Sequence, residues 1–415
     1  MGITALRNRN FRRLWAAVTI NSFGSWLLVM AVPLQVFTMT GSAMSTGLTL
    51  AVEALPAVLI GPWAGVAIDR WYRKKVLIVA NVAGAAGVAL ILSATTSAHL
   101  GLIYLGLIVE NVAVCFLRPA ARAVTPAVVG SRADLASANA LSAFGNSAFR
   151  MIGPLVGTFL ATRGWFAAAA FIDIASYLAA AAIITGVAIR STDRSGHVTP
   201  RIAGLLRQGL RHIAGTSLLR GLLATSWVYW TANAALTVLL IPFTATRLHG
   251  SGQAVGHLIA GLGVGYLCGS AISKTLITRF ATRTLLTVAY ASVGLCFLVA
   301  FTATAIPIAL VAVTASGVPG AVAQVVTGHR LQTSTPDAVL GRVAAAFHTS
   351  DAVAAVVGAL IAPAVVALTD LGVALAILSA TVLVTAAMAV MVLPGRGAED
   401  PDVRPAAPAK ATLTP

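Results

Sequence analysis

Long apolar runs alternate with short polar connections along nearly the whole chain. Runs long enough to cross a bilayer fall at 14–39, 45–68, 76–95, 99–118, 137–162 and 165–189, then at 219–246, 254–273, 284–304, 306–328, 343–368 and 371–393. A helix needs about 20 apolar residues to cross the hydrocarbon core, so each run predicts one transmembrane helix. Several runs contain Gly or Pro, which membrane helices accept when neighbours re-satisfy the backbone. The predicted fold class is an all-α polytopic membrane protein with twelve transmembrane helices.

The longest internal connection, 190–218, is basic and polar and lies between the sixth and seventh runs. It divides the chain into an N-terminal six-helix half, 1–189, and a C-terminal six-helix half, 219–393. Within it, Arg201 to Ala214 carries apolar residues at the spacing of a short amphipathic surface helix. The 394–415 tail is Pro-rich and polar, the composition of a disordered segment. Weak internal symmetry accompanies the division. Thr125-Pro126 precedes the fifth run and Thr335-Pro336 the eleventh, and Pro154 and Pro363 follow at 28 and 27 positions.

Charge placement orients the helices. Of the 28 lysines and arginines, all but Arg150, Arg163 and Arg247 fall in one set of alternating connections or in the tails. The set runs through Arg7–Arg13, Arg70–Lys75, Arg118–Arg132, Arg190–Arg220, Lys274–Arg283, Arg330 with Arg342, and Arg396–Lys410. The positive-inside rule then predicts an even number of spans, with both termini and the 190–218 segment cytoplasmic. Arg7, Arg9, Arg12 and Arg13 precede an apolar run reaching about Met39, too long for a cleaved signal, so the first helix is expected to be retained.

Composition narrows the class further. The chain has 415 residues, 58% hydrophobic and 10% charged, with a mean hydropathy of +0.90. A soluble domain carries about 25% charged residues, so most of this surface must meet lipid or other helices. The net charge of +16 does not predict nucleic-acid binding, because the cations lie in clusters at helix ends. There they can pair with anionic membrane lipids. Cys115, Cys268 and Cys296 are isolated in apolar stretches and form no disulfide or metal pattern. The sequence contains no phosphate-binding loop, no HExxH and no Cys/His ligand set, so no ATPase, metal or other cofactor is expected. Scattered acids without a nucleophile–base set argue against an enzyme. Arginine outnumbers lysine and alanine is abundant, a bias associated with GC-rich bacteria, which points to a bacterial cytoplasmic membrane.

Five ionisable residues fall well inside runs: Glu53, Glu110, Arg150, Asp173 and Asp351. Each would cost about 2.5–3.5 kcal/mol facing lipid, so each must face protein or a water-filled cavity. Glu110 and Arg150 occupy similar depths in adjacent helices, as either a structural ion pair or a proton site. Glu53 has no basic residue in its own span and is the leading proton carrier, with Asp351 its counterpart in the second half. Asp173, in FIDIASYL, reads as a structural polar anchor.

The loop after the second run, GVAIDRWYRKK, resembles the signature of the major facilitator superfamily, with Gly65, Asp69, Arg70, Arg73 and Lys74 matching. Tyr72 stands where many members have Gly, a departure shared with the enterobactin-exporter and macrolide-efflux branch. LRPAARAVTPAVV (117–129), LASANAL (135–141) and RMIGPLVG (150–157) resemble that branch as well. Pro336-Asp337 and Gly341-Arg342-Val343 resemble the second-half signature. Ser25 replaces an Asp found in helix 1 of many relatives, and Thr158 follows Gly157 where the antiporter motif has a second Gly.

The resemblance implies the major facilitator fold, with helices 1, 4, 7 and 10 lining a central cavity. It also implies that Asp69 latches the cytoplasmic ends of the halves, near Gly341 and Arg342. Gly153, Pro154 and Gly157 become helix-packing positions. Asn21, Gln35, Asn233 and Gln324, with Trp227 and Trp230, become cavity-lining candidates. The amides read equally as interhelical hydrogen bonds and the tryptophans as an interfacial belt.

The function expected is secondary active export of a small amphiphilic molecule, such as an antibiotic or siderophore, by proton antiport through alternating access. A monomer carrying small substrate and protons suffices. An importer or uniporter of a metabolite or sugar is the alternative, and a membrane sensor or enzyme a distant one.

Overall fold

The computed structural model describes residues 4–61, 63, 64, 68, 71–129, 132–188, 202–250 and 252–395. Only the backbone is described at 132–136, 139, 140, 143, 144, 146, 147, 150, 151, 202–206, 252, 337 and 338. The tail expected to be disordered falls outside these residues, as do Gly65, Asp69 and Arg70.

Thirteen α-helices make up the described fold, and no strand occurs among the described residues. In the first half they are α1 (Arg9–Thr40), α2 (Ala43–Leu59), α3 (Arg73–Ser93), α4 (Leu100–Val129), α5 (Arg132–Thr162) and α6 (Phe166–Thr185). Helix α7 (Ile202–Gly215) is the amphipathic connector. The second half contains α8 (Ser217–Thr246), α9 (Gly252–Arg279), α10 (Thr282–Thr302), α11 (Ile306–Thr333), α12 (Asp337–Leu368) and α13 (Leu371–Val392).

Ten of the helices are long and apolar enough to cross a membrane; α2, described for 17 residues, and α5, described for 31, complete the twelve-helix bundle. Short polar side chains start several helices by accepting their free N–H groups. The Asn8 side chain accepts from Asn10 N at 2.9 Å, and Asp370 accepts from Val373 N at 3.0 Å. The α1–α2 turn passes through Gly41 at φ 64° and the α5–α6 turn through Gly164 at φ 75°, a left-handed conformation that favours glycine.

Two separate apolar cores form. One, with Phe11, Leu77, Ile91 and Tyr177, joins α1, α3, α4 and α6; the other, with Leu219, Phe243, Tyr290 and Leu375, joins α8, α10, α11 and α13. The halves meet mainly along α2–α12 and α5–α9. Basic residues gather at one end of the bundle. There Lys74 Nζ donates to Thr185 O at 2.7 Å and Arg13 donates to Gly186 O at 2.5 Å, capping the free carbonyls of α6.

One boundary corrects the sequence reading. Helix α4 does not stop near residue 118 but continues to Val129, past Pro119 and Pro126. Arg118 and Arg122 therefore sit on a helix, not in a connecting loop. Hydropathy falls at the first arginine, but the backbone hydrogen-bond ladder continues wherever water or protein can solvate the charge.

Candidate functional site

The interface between halves is tight at the end opposite the basic residues. A Cβ at Gly47 of α2 would lie 2.5 Å from Ala359 O and 2.8 Å from Pro363 Cγ of α12. On the other flank, a Cβ at Gly256 of α9 would lie 3.2 Å from Thr158 Cβ of α5. Thr158, the residue departing from the antiporter motif, is buried in this seal and donates to Pro154 O at 2.6 Å. Leu34 and Ala51, which belong to the first half, join the core of the second near this end.

Toward the basic end no described glycine packs one half against the other. A Cβ added at Gly61, Gly145, Gly328 or Gly341 would meet no heavy atom within 4 Å. Gly61 follows α2, and the other three belong to α5, α11 and α12. The bundle is a cleft, sealed at one end and open at the other.

Polar side chains in the middle of helices mark the cleft wall, because lipid would not accept them. Arg118 and Arg122 of α4, Gln324 of α11 and His348 of α12 are all exposed. Glu53 of α2 is half-buried. Glu53 and Glu110 each lie ten residues from the sealed-end start of their helices, hence at a similar depth of about 15 Å. Glu53 shares its electrostatic surroundings with Glu110 and Arg118, and His348 shares its own with Arg118 and Arg122. Sequence reading placed the two arginines among loop anchors and gave His348 no role. The available signal was the apolar pattern that resumes after Arg118, with the i, i+4 spacing of the two arginines.

Asp351 of α12 is half-buried and accepts from Ser226 Oγ of α8 at 3.0 Å. Glu110 is buried and turned toward α3 and α6. It accepts from the Tyr177 hydroxyl at 3.3 Å, and its backbone packs on Gly87. The side chain of Arg150, its expected partner, lies outside the described residues.

Asp173, expected as a structural polar anchor, lies at the contact of α6 with α1. It is fully buried, with Oδ1 accepting from Ser176 Oγ at 3.1 Å and pressed against Gly24 of α1. Tyr177 packs on Gly84 and lies 3.3 Å from Ser25 Oγ. Close packing of α6 on both α1 and α3 draws Asp173 inward.

The other candidates separate. Asn21 donates to Asn81 Oδ1 of α3 at 3.2 Å, an interhelical bond. Gln35 and Asn233 are half-buried and Gln324 is exposed to the cleft. Trp230 packs edge-on against Tyr229 at 5.6 Å. Trp227 instead lines a groove of about 510 Å³ with Leu210, Arg220, Ser350 and Met388, between α7, α8, α12 and α13. Gly153 and Gly157, flanking Pro154, let α5 press against Trp26 and Leu27 of α1.

In the loop motif, Arg73 donates to Ala123 O at 3.1 Å, so it and Lys74 tie helices within one half. Arg342 donates to Gln208 of α7, whose Gly209 packs against the Arg342 backbone.

Known proteins resemble this chain in sequence and in fold. The profile described as transmembrane secretion effector matches residues 2–413. Macrolide efflux protein A of Streptococcus pyogenes is 26% identical over 268 residues, 61% of this chain and 66% of that protein, so the chain spans just under two thirds of that relative. The enterobactin exporter EntS of Citrobacter koseri is 30% identical over 348 residues, 80% of this chain and 79% of that protein. Among solved structures, the nucleoside transporter NupG (D323A mutant) superposes with a TM-score of 0.75 at 12% identity, covering 93% of this chain and all (100%) of that one. A bacterial homolog of the human lysosomal transporter Spinster, in an inward-facing and unoccupied conformation, gives 0.69 at 14% identity, covering 93% and 95%. At these identities the structural matches establish the fold.

Proposed function

This chain belongs to the transmembrane secretion effector family of the major facilitator superfamily, and we propose that it exports small amphiphilic molecules by proton antiport. The observation that carries the reading is the cleft between the halves, sealed at the far end and lined at mid-depth by titratable groups. Alternating access then consists of parting the α2–α12 and α5–α9 seals while the basic ends close. The basic end is cytoplasmic, as the positive-inside rule requires. Its cations rest against anionic lipid headgroups.

Cargo enters from the cytoplasm, with the Trp230 face offering apolar contact and Arg118, Arg122 and His348 offering donors to polar oxygens. The names of the two sequence relatives suggest macrolides and siderophores as first compounds to try. In the outward-open state Asp69 approaches Gly341 and Arg342, where free N–H groups at the start of α12 and a guanidinium attract it. Glu53 exchanges the coupling proton with the cleft.

The test is transport of a substrate panel into inside-out vesicles, with and without an imposed proton gradient. Gradient-dependent accumulation of an amphiphile, abolished by a protonophore, supports export by antiport. Uptake in right-side-out vesicles driven by an inward proton gradient would instead establish the import reading.

A further inference from the structure

The mechanism above uses Glu53 and leaves Asp173 unexplained. Three carboxyl groups of the first half become steadily more buried. Glu53 is half-buried at the cleft, Glu110 is 7% exposed, and Asp173 is 0% exposed. Their helices adjoin in that order, with α2 on α4, and α4 joined to α6 through Tyr177. Asp173 Oδ2 has no hydrogen-bond partner although it is fully buried. Purely structural acids in hydrocarbon surroundings are normally satisfied at both oxygens, since an unmade bond there costs about 1–3 kcal/mol or more.

The groups facing this acid are few. Helix α6 itself contributes Ser176 and Tyr177, and α4 contributes Glu110. Helix α1 contributes Gly24 against Asp173 and Ser25 against Tyr177, and α3 contributes Gly84 against Tyr177, none of them titratable. Glu110 in turn faces Tyr177 and Glu53, and Arg118 lies within electrostatic range of both Tyr177 and Glu53. No described cation forms an ion pair with Glu110 or Asp173, and the charge of Glu110 reaches Asp173 through a low dielectric, where like charges repel.

We propose that Asp173 and Glu110 form a shared proton-binding site, reached from the cleft through Glu53, with Tyr177 bonded to Glu110 one helical turn from Asp173 and with Gly24 of α1 covering Asp173. One proton resides on the pair. For the proton to move, the Tyr177 hydroxyl swings from its present neighbours Glu110 and Ser25 toward Asp173; its oxygen takes the proton as the O–H bond of Glu110 breaks, and its own proton forms the O–H bond of Asp173, so Tyr177 ends unchanged. The site holds the coupling proton out of contact with cargo, and it depends on the export reading only for what that proton drives. Helix α1 controls access, because Gly24 rests on Asp173 while Trp26 and Leu27, two and three residues along, rest on Gly153 and Gly157 of α5, the helix whose Thr158 meets α9 at the seal.

The experiment is infrared difference spectroscopy of the full chain in lipid nanodiscs, with protons as the only ligand and pH stepped from acid to alkaline. Wild type should show a protonated-carboxyl band from a water-free site that titrates. Asp173→Asn should remove that band, and Glu110→Gln should move the titration of what remains, since the macroscopic steps belong to the pair. Tyr177→Phe, which keeps the ring packed on Gly84, should leave both acids but abolish their mutual dependence; it also serves if Asp173→Asn does not fold. A carboxyl band constant at every pH, or unmoved by both Glu110→Gln and Tyr177→Phe, overturns the proposal and leaves Asp173 a neutral packing residue. A titrating pair in a protein whose vesicles show no gradient-driven flux retains the site and sinks the export reading instead.

Discussion

The two halves have the same helix order but different interiors. The first holds Glu53, Glu110 and Asp173 well inside its helices, with Glu110 bonded to Tyr177, Tyr177 beside Ser25, and Asp173 bonded to Ser176. In the second, aromatic rings fill much of the interior: Tyr229 lies 5.1 Å from Tyr290, and Phe243 lies 5.1 Å from Phe301. Among its described residues only Asp351 is an acid deep within a helix, and Ser226 satisfies one of its oxygens. Because an embedded acid is costly in lipid, three in one half and one in the other indicate a division of labour. On the proposed antiport reading, the first half handles protons and the second gives it a rigid partner to rock against.

The sharpest way to break that comparison is to neutralise one acid in each half. Glu53→Gln should lower gradient-driven export by about 100-fold or more, since only the titratable proton is lost, while cargo binding persists. Asp351→Asn keeps a partner for Ser226 and should stay within about tenfold of wild type. Vesicle flux measured alongside equilibrium cargo binding tests both. Equal loss of coupling in the two variants would refute the division.

Steric changes should affect the halves alike, because both use the same packing device. Gly157 lies on Leu27 O of α1, and Gly358 lies on Thr231 O of α8, so either glycine changed to alanine forces backbone apart. Each should lose about 1–3 kcal/mol of stability, read from thermal unfolding in detergent. A marked difference between the two would show that the shared architecture hides unequal packing.

A smaller effect is expected at the seal between halves. Gly256→Ala would place a methyl group 3.2 Å from Thr158 Cβ, tight enough to require a shift of a few tenths of an ångström. Conformational distance measurements across α5–α9 should show the sealed state depopulated by about three- to tenfold, and Thr158→Gly should reverse it. No change in the Gly256→Ala distances would mean that this contact does not hold the seal.

The smallest effect belongs to the surface. Arg247 and Asp370 approach to 4.0 Å with 58% and 64% exposure, so Arg247→Gln should change stability by less than about 0.5 kcal/mol. A loss above about 1 kcal/mol, measured in the same unfolding assay, would assign the second half an electrostatic support that its geometry does not suggest.

The sequence by itself determined the helices and their polarity. Twelve apolar runs, a basic connector and alternating cations are local or periodic signals, and the lipid requirement that every helix satisfy its own backbone makes such signals decisive. The surface helix near Arg201–Ala214 and the twelve-helix order were legible for that reason. Depth and facing were not. Arg118 and Arg122 marked a boundary to hydropathy, yet α4 runs past them because the cleft supplies water to their charges. Glu110 and Arg150 share a depth along the sequence, a pairing that involves a side chain outside the described residues, and the rotation of α4 that turns Glu110 toward Tyr177 could not be read there. Asp173 reads from the sequence as a structural polar anchor, but what it is anchored to appears only where the glycines of α1 and α3 bring those helices against α6. Which face of a helix meets which neighbour depends on contacts between residues tens to more than a hundred positions apart, and only the folded bundle decides them.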